Sequence, residues 1–272
     1  MNSEQTSTNV DRTDRSRRGR RRRRDRPRTP HVASMTWRDG LFVHWPIDHD
    51  ALRSHVPDSL RLETRDGSAW ISVLPFVLSN AGIRGSPELT RFAFPEINVR
   101  TYVQYRGEPG LFFFSIDVGN PIVATAIGRT TRLPVYNSRM HVGRADDRVS
   151  FSSERTTDRW QTDLFSDGRP TTDGRGRFSA SYEPDGAVYT AEPGSLEYWL
   201  TARKRFYAPE SRGVMTGEIA HEPWPLRPVT ATIHENDLFR SNGLPEPNAD
   251  PIVSYCERLE MTGSILRRIR QD

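Results

Sequence analysis

The chain has 272 residues, of which 35% are hydrophobic and 10% aromatic. This composition supplies one sizeable core and excludes a wholly disordered protein. Its longest nearly unbroken apolar stretch, residues 71–78, is far shorter than the roughly 20 residues of a membrane-spanning helix, so we expect no membrane association. Cys256 is the only cysteine, which excludes an internal disulfide and fits a cytoplasmic location.

The net charge of +4 is concentrated at the N-terminus. Residues 1–30 contain eleven arginines and four acidic residues, so they carry +7 and the rest of the chain −3. Low hydrophobicity and high charge predict a disordered extension over residues 1–34 and a single domain over residues 35–272. The arginines within residues 12–28 allow attraction to nucleic acid. No aromatic residue accompanies them for base stacking, which favours a solvated tail.

The rest of the chain consists of short apolar segments separated by Gly, Pro, Asn and Asp turns. In chain order they predict a helix from Asp48 to about Val56, strands over 69–76, 98–105 and 111–118, a helix beginning at Asn120-Pro121, a strand over 187–190, a helix over 196–207 capped by Ser195, and strands over 229–234 and 252–259. Many strands and few helices favour a mainly β fold, with an antiparallel sheet that curls into a barrel or sandwich.

Arg203 falls within the apolar stripe of the third predicted helix. Burying an unpaired guanidinium costs several kcal/mol, so this side chain needs a partner. The partner is either the carboxylate or enolate of a small ligand, held by the planar guanidinium fork, or an internal Asp or Glu. The sequence leaves both alternatives open.

A second unusual pattern covers residues 96–104. With a strand period of two, Glu96, Asn98 and Arg100 share one face, and the opposite face is apolar. In the next segment, residues 112, 114, 116 and 118 form an apolar side, whereas residues 113, 115 and 117 form a mixed one. A mixed face with aromatic residues is typical of a cavity wall, although a polar strand face also occurs in contact with solvent.

Several classes of protein lack support in the sequence. The seven histidines show no metal-ligand spacing, so we predict no metal site. A glycine-rich phosphate loop, a dinucleotide fingerprint and a Gly-x-Ser-x-Gly motif are absent, so we predict no nucleotide cofactor and no serine-hydrolase chemistry.

Ordered blocks of the chain resemble the YqjF-like proteins, a family of unknown function. They include WRDGLFVHWP at 37–46, EINVRTYV at 96–103, LPVY at 133–136 and HEPWPL at 221–226. The resemblance covers the chain from about Met35 to its C-terminus. It implies a fold related to acetoacetate decarboxylase, which is a closed, cone-like antiparallel barrel with flanking helices and an internal cavity.

The same resemblance limits the chemistry. Acetoacetate decarboxylase forms a Schiff base through a lysine in a Pro-Lys-Lys motif, which the segment Pro134-Val135-Tyr136 resembles. Neither Val135 nor Tyr136 can form an imine. Glu96 is similar in position to the decarboxylase's carboxylate, which implies an acid-base group. Lys204, the only lysine, is expected to be exposed and inert.

These observations predict a cavity for a small carboxylate or carbonyl compound, without a Schiff base. Glu96 and Arg203 are the candidate catalytic residues, for proton transfer and for holding a developing oxyanion. Asn98, Arg100 and Tyr136 are the candidate ligand-binding residues. One alternative is a non-catalytic carrier that uses the same cavity. Another is a nucleic-acid-associated protein that acts through its arginine-rich tail.

Overall fold

The computed structural model describes residues 29–131, 133–156, 175–210 and 213–270. The strands in these residues are β1 (His31–Ile47), β2 (Arg61–Leu62), β3 (Ala69–Ile83), β4 (Phe92–Tyr105), β5 (Glu108–Val118), β6 (Val135–Ala145), β7 (Arg148–Arg155), β8 (Arg177–Pro184), β9 (Arg205–Glu210), β10 (Gly213–His221), β11 (Leu226–Arg227), β12 (Val229–Asn236), β13 (Ile252–Ser264) and β14 (Arg267–Arg270). The helices are α1 (His49–Arg53), α2 (Pro121–Thr131), α3 (Leu196–Thr201) and α4 (Leu238–Ser241).

Seven strands close a ring in the order β4-β3-β1-β13-β10-β9-β5, and β5 pairs again with β4. The start of β5 pairs in parallel with β9, and its end pairs in parallel with β6. From β6 a second sheet continues through β7, β8 and β12. The predicted mainly β fold is confirmed. The ring is not a regular antiparallel barrel, because β5 forms two parallel pairings and divides its edge between two partners.

Two hydrophobic cores lie on opposite faces of the ring strands, since successive side chains of a strand point to opposite sides. The first core contains side chains from the ring, the second sheet, α1 and α4, such as Val99 and Phe151. The second core contains side chains from the ring, α2, α3 and the corner before β11, such as Leu200 and Trp224. The polar residues Glu96, Asn98 and Arg100 of β4 lie on the second-core face.

All three predicted helix starts are confirmed by their caps. The Asp48 carboxylate accepts a hydrogen bond from the Ala51 N–H at 2.8 Å. The Ser195 hydroxyl accepts one from the Tyr198 N–H at 3.1 Å. The Asn120 side chain accepts from two amides at the start of α2, 3.0 and 3.1 Å away. These bonds satisfy amides that the first helical turn leaves without a partner.

The third helix is shorter than predicted. It ends at Thr201, and Arg205–Glu210 forms strand β9 instead of the last helical turns. Pairing with β10 places Phe206 opposite Gly217, where a Cβ atom would lie only 2.4 Å from the Phe206 ring. The ring therefore packs over a glycine in a sheet, and this long-range pairing overrides the helical periodicity.

Two other predicted boundaries differ. Only Tyr189 of the predicted strand 187–190 forms a bridge, to Leu226. Strand β1 begins at His31, four residues before the predicted domain boundary, because His31 pairs with Ser264 of β13. The rest of the predicted extension, including the arginines of residues 12–28, lies almost entirely outside the described residues. No helix in the described ranges is long and apolar enough to cross a membrane.

Candidate functional site

The predicted polar face of β4 exists and is buried. Glu96, Asn98 and Arg100 are 9%, 4% and 8% exposed. Ile97 and Val99 belong to the first core, so these three polar side chains point to the second-core face. Instead of facing solvent, they lie among the aromatic and aliphatic side chains of the second core.

The predicted mixed face of β5 is wrong. Val99 of β4 pairs with Ser115, but Arg100 pairs with Phe113, which leaves one extra residue on β5. This β-bulge exchanges the two faces of the strand partway along it. Phe113 therefore lies in the second core, whereas Asp117 pairs with Tyr136 on the first-core side of the sheet. Assigning strand faces by simple alternation fails after a β-bulge, because the inserted residue shifts the alternation by one.

A cross-strand row on the second-core face joins three buried polar residues. His44 of β1 pairs with Ser72 of β3, and Ser72 pairs with Arg100 of β4. Adjacent strands are about 4.8 Å apart, so His44 and Arg100 are roughly 10 Å apart at their backbones, with their side chains on the same side. The sequence prediction included Arg100 among the candidate residues but not His44.

A hydrogen-bonded triangle fixes one end of this row. His44 Nδ1 is 2.7 Å from Ser72 Oγ, and Ser72 Oγ is 2.8 Å from the Tyr102 hydroxyl. The Tyr102 hydroxyl donates to the Leu200 carbonyl at 3.0 Å. Tyr102 also lies 3.2 Å from His44 Nδ1. The triangle therefore ties strands β1, β3 and β4 to helix α3.

Burial controls the charges in the row. Burial and, to a smaller extent, the positive charge of Arg100 lower the pKa of His44 to about 3, so His44 is neutral at physiological pH. Burial also lowers the pKa of Arg100, while the nearby Tyr102 hydroxyl favours its charged form. An arginine side chain stays protonated in proteins, so the row carries one buried positive charge.

Three polar atoms of the row and of the polar face of β4 have no hydrogen-bond partner in the described part of the chain. They are His44 Nε2, Asn98 Oδ1 and Arg100 Nε. Leaving a buried polar atom without a partner costs about 1–3 kcal/mol, and more for a charged group. Each such buried atom needs an explanation, and a role in binding a ligand is one.

Glu96 lies at the far end of the polar face of β4. Burial and the charge of Asp117 raise the pKa of Glu96 to about 7, against the opposing effect of a hydrogen bond from Asn98. The carboxyl group therefore exchanges its proton near neutral pH, as an acid-base catalyst requires. Six residues separate Glu96 from Tyr102, which corresponds to about 20 Å along the strand.

A cleft of about 380 Å³ lies at the C-terminal end of α3. Its lining includes Arg203, Lys204, His221 and Trp224. Trp224 Nε1 donates to the Thr201 carbonyl at 2.9 Å, and both residues line the cleft. Since Leu200, the neighbour of Thr201, accepts from Tyr102, the end of α3 separates the cleft from the triangle.

Arg203 has a carboxylate partner. Its guanidinium lies 2.7 Å from a carboxylate oxygen of Glu63 and packs over the ring of Trp199 at 4.6 Å. It also lies 5.8 Å from the ring centre of Tyr102. Of the two predicted alternatives, the structure contains the internal ion pair. Arg203 lies in the wall of the cleft and near the ring of Tyr102, which is about 20 Å along β4 from Glu96.

Tyr136 lies apart from the other candidates. Its ring packs against the guanidinium of Arg155 at 3.6 Å. Arg155 donates two hydrogen bonds of 2.8 Å to the Asp117 carboxylate, which also accepts one from Ser138. This buried ion pair occupies the first-core side of β5 and β6. Val135, the residue before Tyr136, lies in the second core.

Two further possibilities were a reactive lysine and a metal site. Lys204 is exposed, as predicted, and lies in the segment between α3 and β9. No cluster of three or more His, Cys, Asp or Glu side chains that could hold a metal ion occurs in the described ranges.

Comparison with solved structures defines the class of fold. The chain superposes on the enduracididine biosynthesis enzyme MppR in complex with pyruvate with a TM-score of 0.59 and 17% identity, covering 88% of this chain and 91% of that one. An acetoacetate decarboxylase gives a TM-score of 0.58 at 13% identity, with coverage of 90% and 92%. An acetoacetate decarboxylase-like enzyme from Sphingomonas wittichii RW1 gives 0.56 at 11%, with coverage of 89% and 95%. The fold is therefore acetoacetate decarboxylase-like.

Sequence comparison identifies the family. The DUF2071 family, described as an uncharacterized conserved protein, matches residues 34–260. The uncharacterized protein YqjF of Bacillus subtilis (strain 168) is 35% identical over 238 residues, which cover 87% of this chain and 92% of YqjF. The chain belongs to the DUF2071 family, and the predicted resemblance to YqjF-like proteins is confirmed.

Proposed function

We propose that this protein binds a small carboxylate or carbonyl compound on the second-core face of the ring, with Arg100 as the anchor for the ligand's negative charge. The observation that carries this proposal is the buried guanidinium of Arg100, whose Nε has no partner in the described residues. The group that most favours its charged form is a tyrosine hydroxyl, not a carboxylate. A carboxylate is the natural partner for an arginine fork.

A cleft on the other side of the end of α3 from the triangle supports a small ligand. Its volume of about 380 Å³ is typical of small-molecule sites, which are about 300–1,000 Å³. Its wall contains Arg203, which we propose as a second contact for the ligand at the cleft, with its charge partly balanced by Glu63. A neighbour of the same fold binds pyruvate, which supports small oxo acids as the first compounds to test.

The proposed chemistry does not use an imine. Val135 and Tyr136 occupy the positions that resemble the decarboxylase lysines, and neither side chain is an amine. Glu96 favours an enzyme over a carrier, because its pKa near 7 suits proton transfer. Asn98 donates to Glu96 and lies between it and Arg100 on the same face of β4, so we propose it as a ligand contact. Tyr136 is not part of the proposed site, because Arg155 covers its ring on the other side of the sheet.

Ligand-induced thermal stabilisation of the full chain tests this proposal. Pyruvate, acetoacetate and propionate are compared with acetone, which has no carboxylate. A compound that binds the folded state raises the midpoint of unfolding. We expect the acids to stabilise the native protein and the Arg100→Met variant to lose this response.

Arg139→Met is the matched control, because Arg139 is 67% exposed and pairs only weakly with Glu154 at 3.6 Å. A null response to every acid, or an undiminished response in Arg100→Met, contradicts the proposal. Borohydride trapping with each oxo acid tests the absence of an imine, and an adduct on Lys204 would refute that part. Salt-dependent binding of nucleic acid that disappears without residues 1–30 would favour the tail-based alternative.

A further inference from the structure

We infer that the ligand of this site is a 2-hydroxycarboxylate, whose carboxylate accepts from Arg100 and whose neighbouring hydroxyl donates to His44 Nε2. This inference rests on the proposed function and narrows its ligand class. It comes from the number of protons available to the triangle of His44, Ser72 and Tyr102.

The hydroxyl proton of Tyr102 is used in a hydrogen bond to the Leu200 carbonyl. Its hydroxyl is 3.0 Å from the Leu200 carbonyl, which can only accept, so Tyr102 donates there. The contact of 2.8 Å between Tyr102 and Ser72 then needs a proton from Ser72. The contact of 2.7 Å between Ser72 and His44 consequently needs a proton on His44 Nδ1. Only this arrangement gives both short contacts a hydrogen atom.

The tautomer of His44 determines whether its Nε2 atom donates a hydrogen bond to a ligand or accepts one. A neutral imidazole carries one proton, so a protonated Nδ1 leaves Nε2 as a lone-pair acceptor. Burial keeps His44 neutral. His44 Nε2 is buried and has no partner in the described residues. A ligand that satisfies this atom must donate a hydrogen bond to it.

Asn98 provides a second acceptor on the same face. Its side-chain hydrogen bond to Glu96 favours the ionised carboxylate, which identifies the Asn98 amide as the donor. The Asn98 carbonyl oxygen is buried and has no partner among the described residues. The site therefore combines one cation with two acceptors. An anion that carries hydroxyl groups complements this set, whereas a 2-oxo acid brings only acceptors.

Lactate, pyruvate and propionate provide the test, because they share a carboxylate and three carbons and differ only at the second carbon. Affinity is measured calorimetrically on the full chain, with both lactate enantiomers. We expect one enantiomer to bind at least about tenfold more tightly than propionate or pyruvate, as one well-placed hydrogen bond provides. In the His44→Phe variant this preference should disappear, while propionate binding remains.

The outcomes separate the two proposals. Equal affinity for the three acids in the native protein overturns the hydroxy-acid inference and leaves the carboxylate site intact. Failure of all three to bind overturns the inference and the proposed function together. Nitrogen NMR of the ligand-free protein provides an independent measurement: a proton on His44 Nδ1 supports the proton count, and a proton on Nε2 refutes it.

Discussion

His44 and Arg100 lie on either side of Ser72 in one cross-strand row, and each has a buried nitrogen without a partner in the described residues. The positive charge of Arg100 contributes, after burial, to the lowered pKa of His44, so the two side chains lie within electrostatic range of each other. Their arrangement destabilises the ligand-free fold, because buried polar atoms without partners are unfavourable. A ligand that bridges them offsets this cost.

The first prediction concerns the stability of the ligand-free protein. We expect Arg100→Met to increase the free energy of unfolding by about 1–3 kcal/mol, because an apolar side chain of similar length replaces a buried charge without a carboxylate partner. Urea denaturation measures this change. Arg139→Met, at an exposed position, should stay within about 0.5 kcal/mol of the native protein. Clear destabilisation by Arg100→Met would mean that Arg100 is primarily a structural residue.

The second prediction concerns pH and Glu96. Its pKa is about 7 in the folded protein against an ordinary value of 4.5. Folding therefore favours the protonated form: the associated stability is fully present below pH 4.5 and is lost as the pH rises through 7. The shift corresponds to about 3 kcal/mol. Between pH 4.5 and pH 8 we expect the native protein to lose about that much stability relative to Glu96→Gln. Parallel pH profiles for the two proteins would be inconsistent with a buried, protonated Glu96.

Features that depend on local contacts could be predicted from the sequence, whereas features that depend on long-range pairing could not. The caps at Asp48, Asn120 and Ser195 were predictable because they depend on neighbours two or three residues away. The buried face of β4 was predictable from its alternation. Strand β9 was not, because Phe206 pairs with Gly217 across the sheet and its local pattern is helical. Part of the candidate site could not be predicted either, because it also depends on long-range contacts.

Two features of the site depend on long-range contacts. His44 and Ser72 are 28 residues apart, and only the register of β1 and β3 brings them together. Glu63 follows β2 in the structure and had no recognisable signal as the partner of Arg203. A polar residue at the position of Ser72 within an apolar strand was the one available signal, since a buried hydroxyl needs a hydrogen-bond partner.

The third prediction concerns the ion pair of Arg203 and Glu63. The two side chains are 9% and 19% exposed, so solvent screens them only partly. We expect Glu63→Gln and Arg203→Leu each to destabilise the protein by about 1–2 kcal/mol, and the double variant to lose less than the sum. Thermal unfolding of the four proteins measures the coupling. Strictly additive losses would show that the ion pair contributes nothing.

The fourth prediction concerns the ion pair on the first-core side. Asp117 and Arg155 are 1% and 2% exposed and share two hydrogen bonds. Asp117→Asn leaves the Arg155 guanidinium buried without a full charge partner, so we expect a loss of about 3–5 kcal/mol. Chemical denaturation measures it. A loss below about 1 kcal/mol would indicate that Arg155 finds another partner.

The central claim is that a small acid binds Arg100 without forming a covalent bond, and a crystal structure of the full chain soaked with lactate tests it most directly. We expect the lactate carboxylate about 3 Å from the Arg100 guanidinium, with the lactate hydroxyl directed at His44 Nε2. A carboxylate bound elsewhere, without contact to Arg100 or His44, would contradict the proposal.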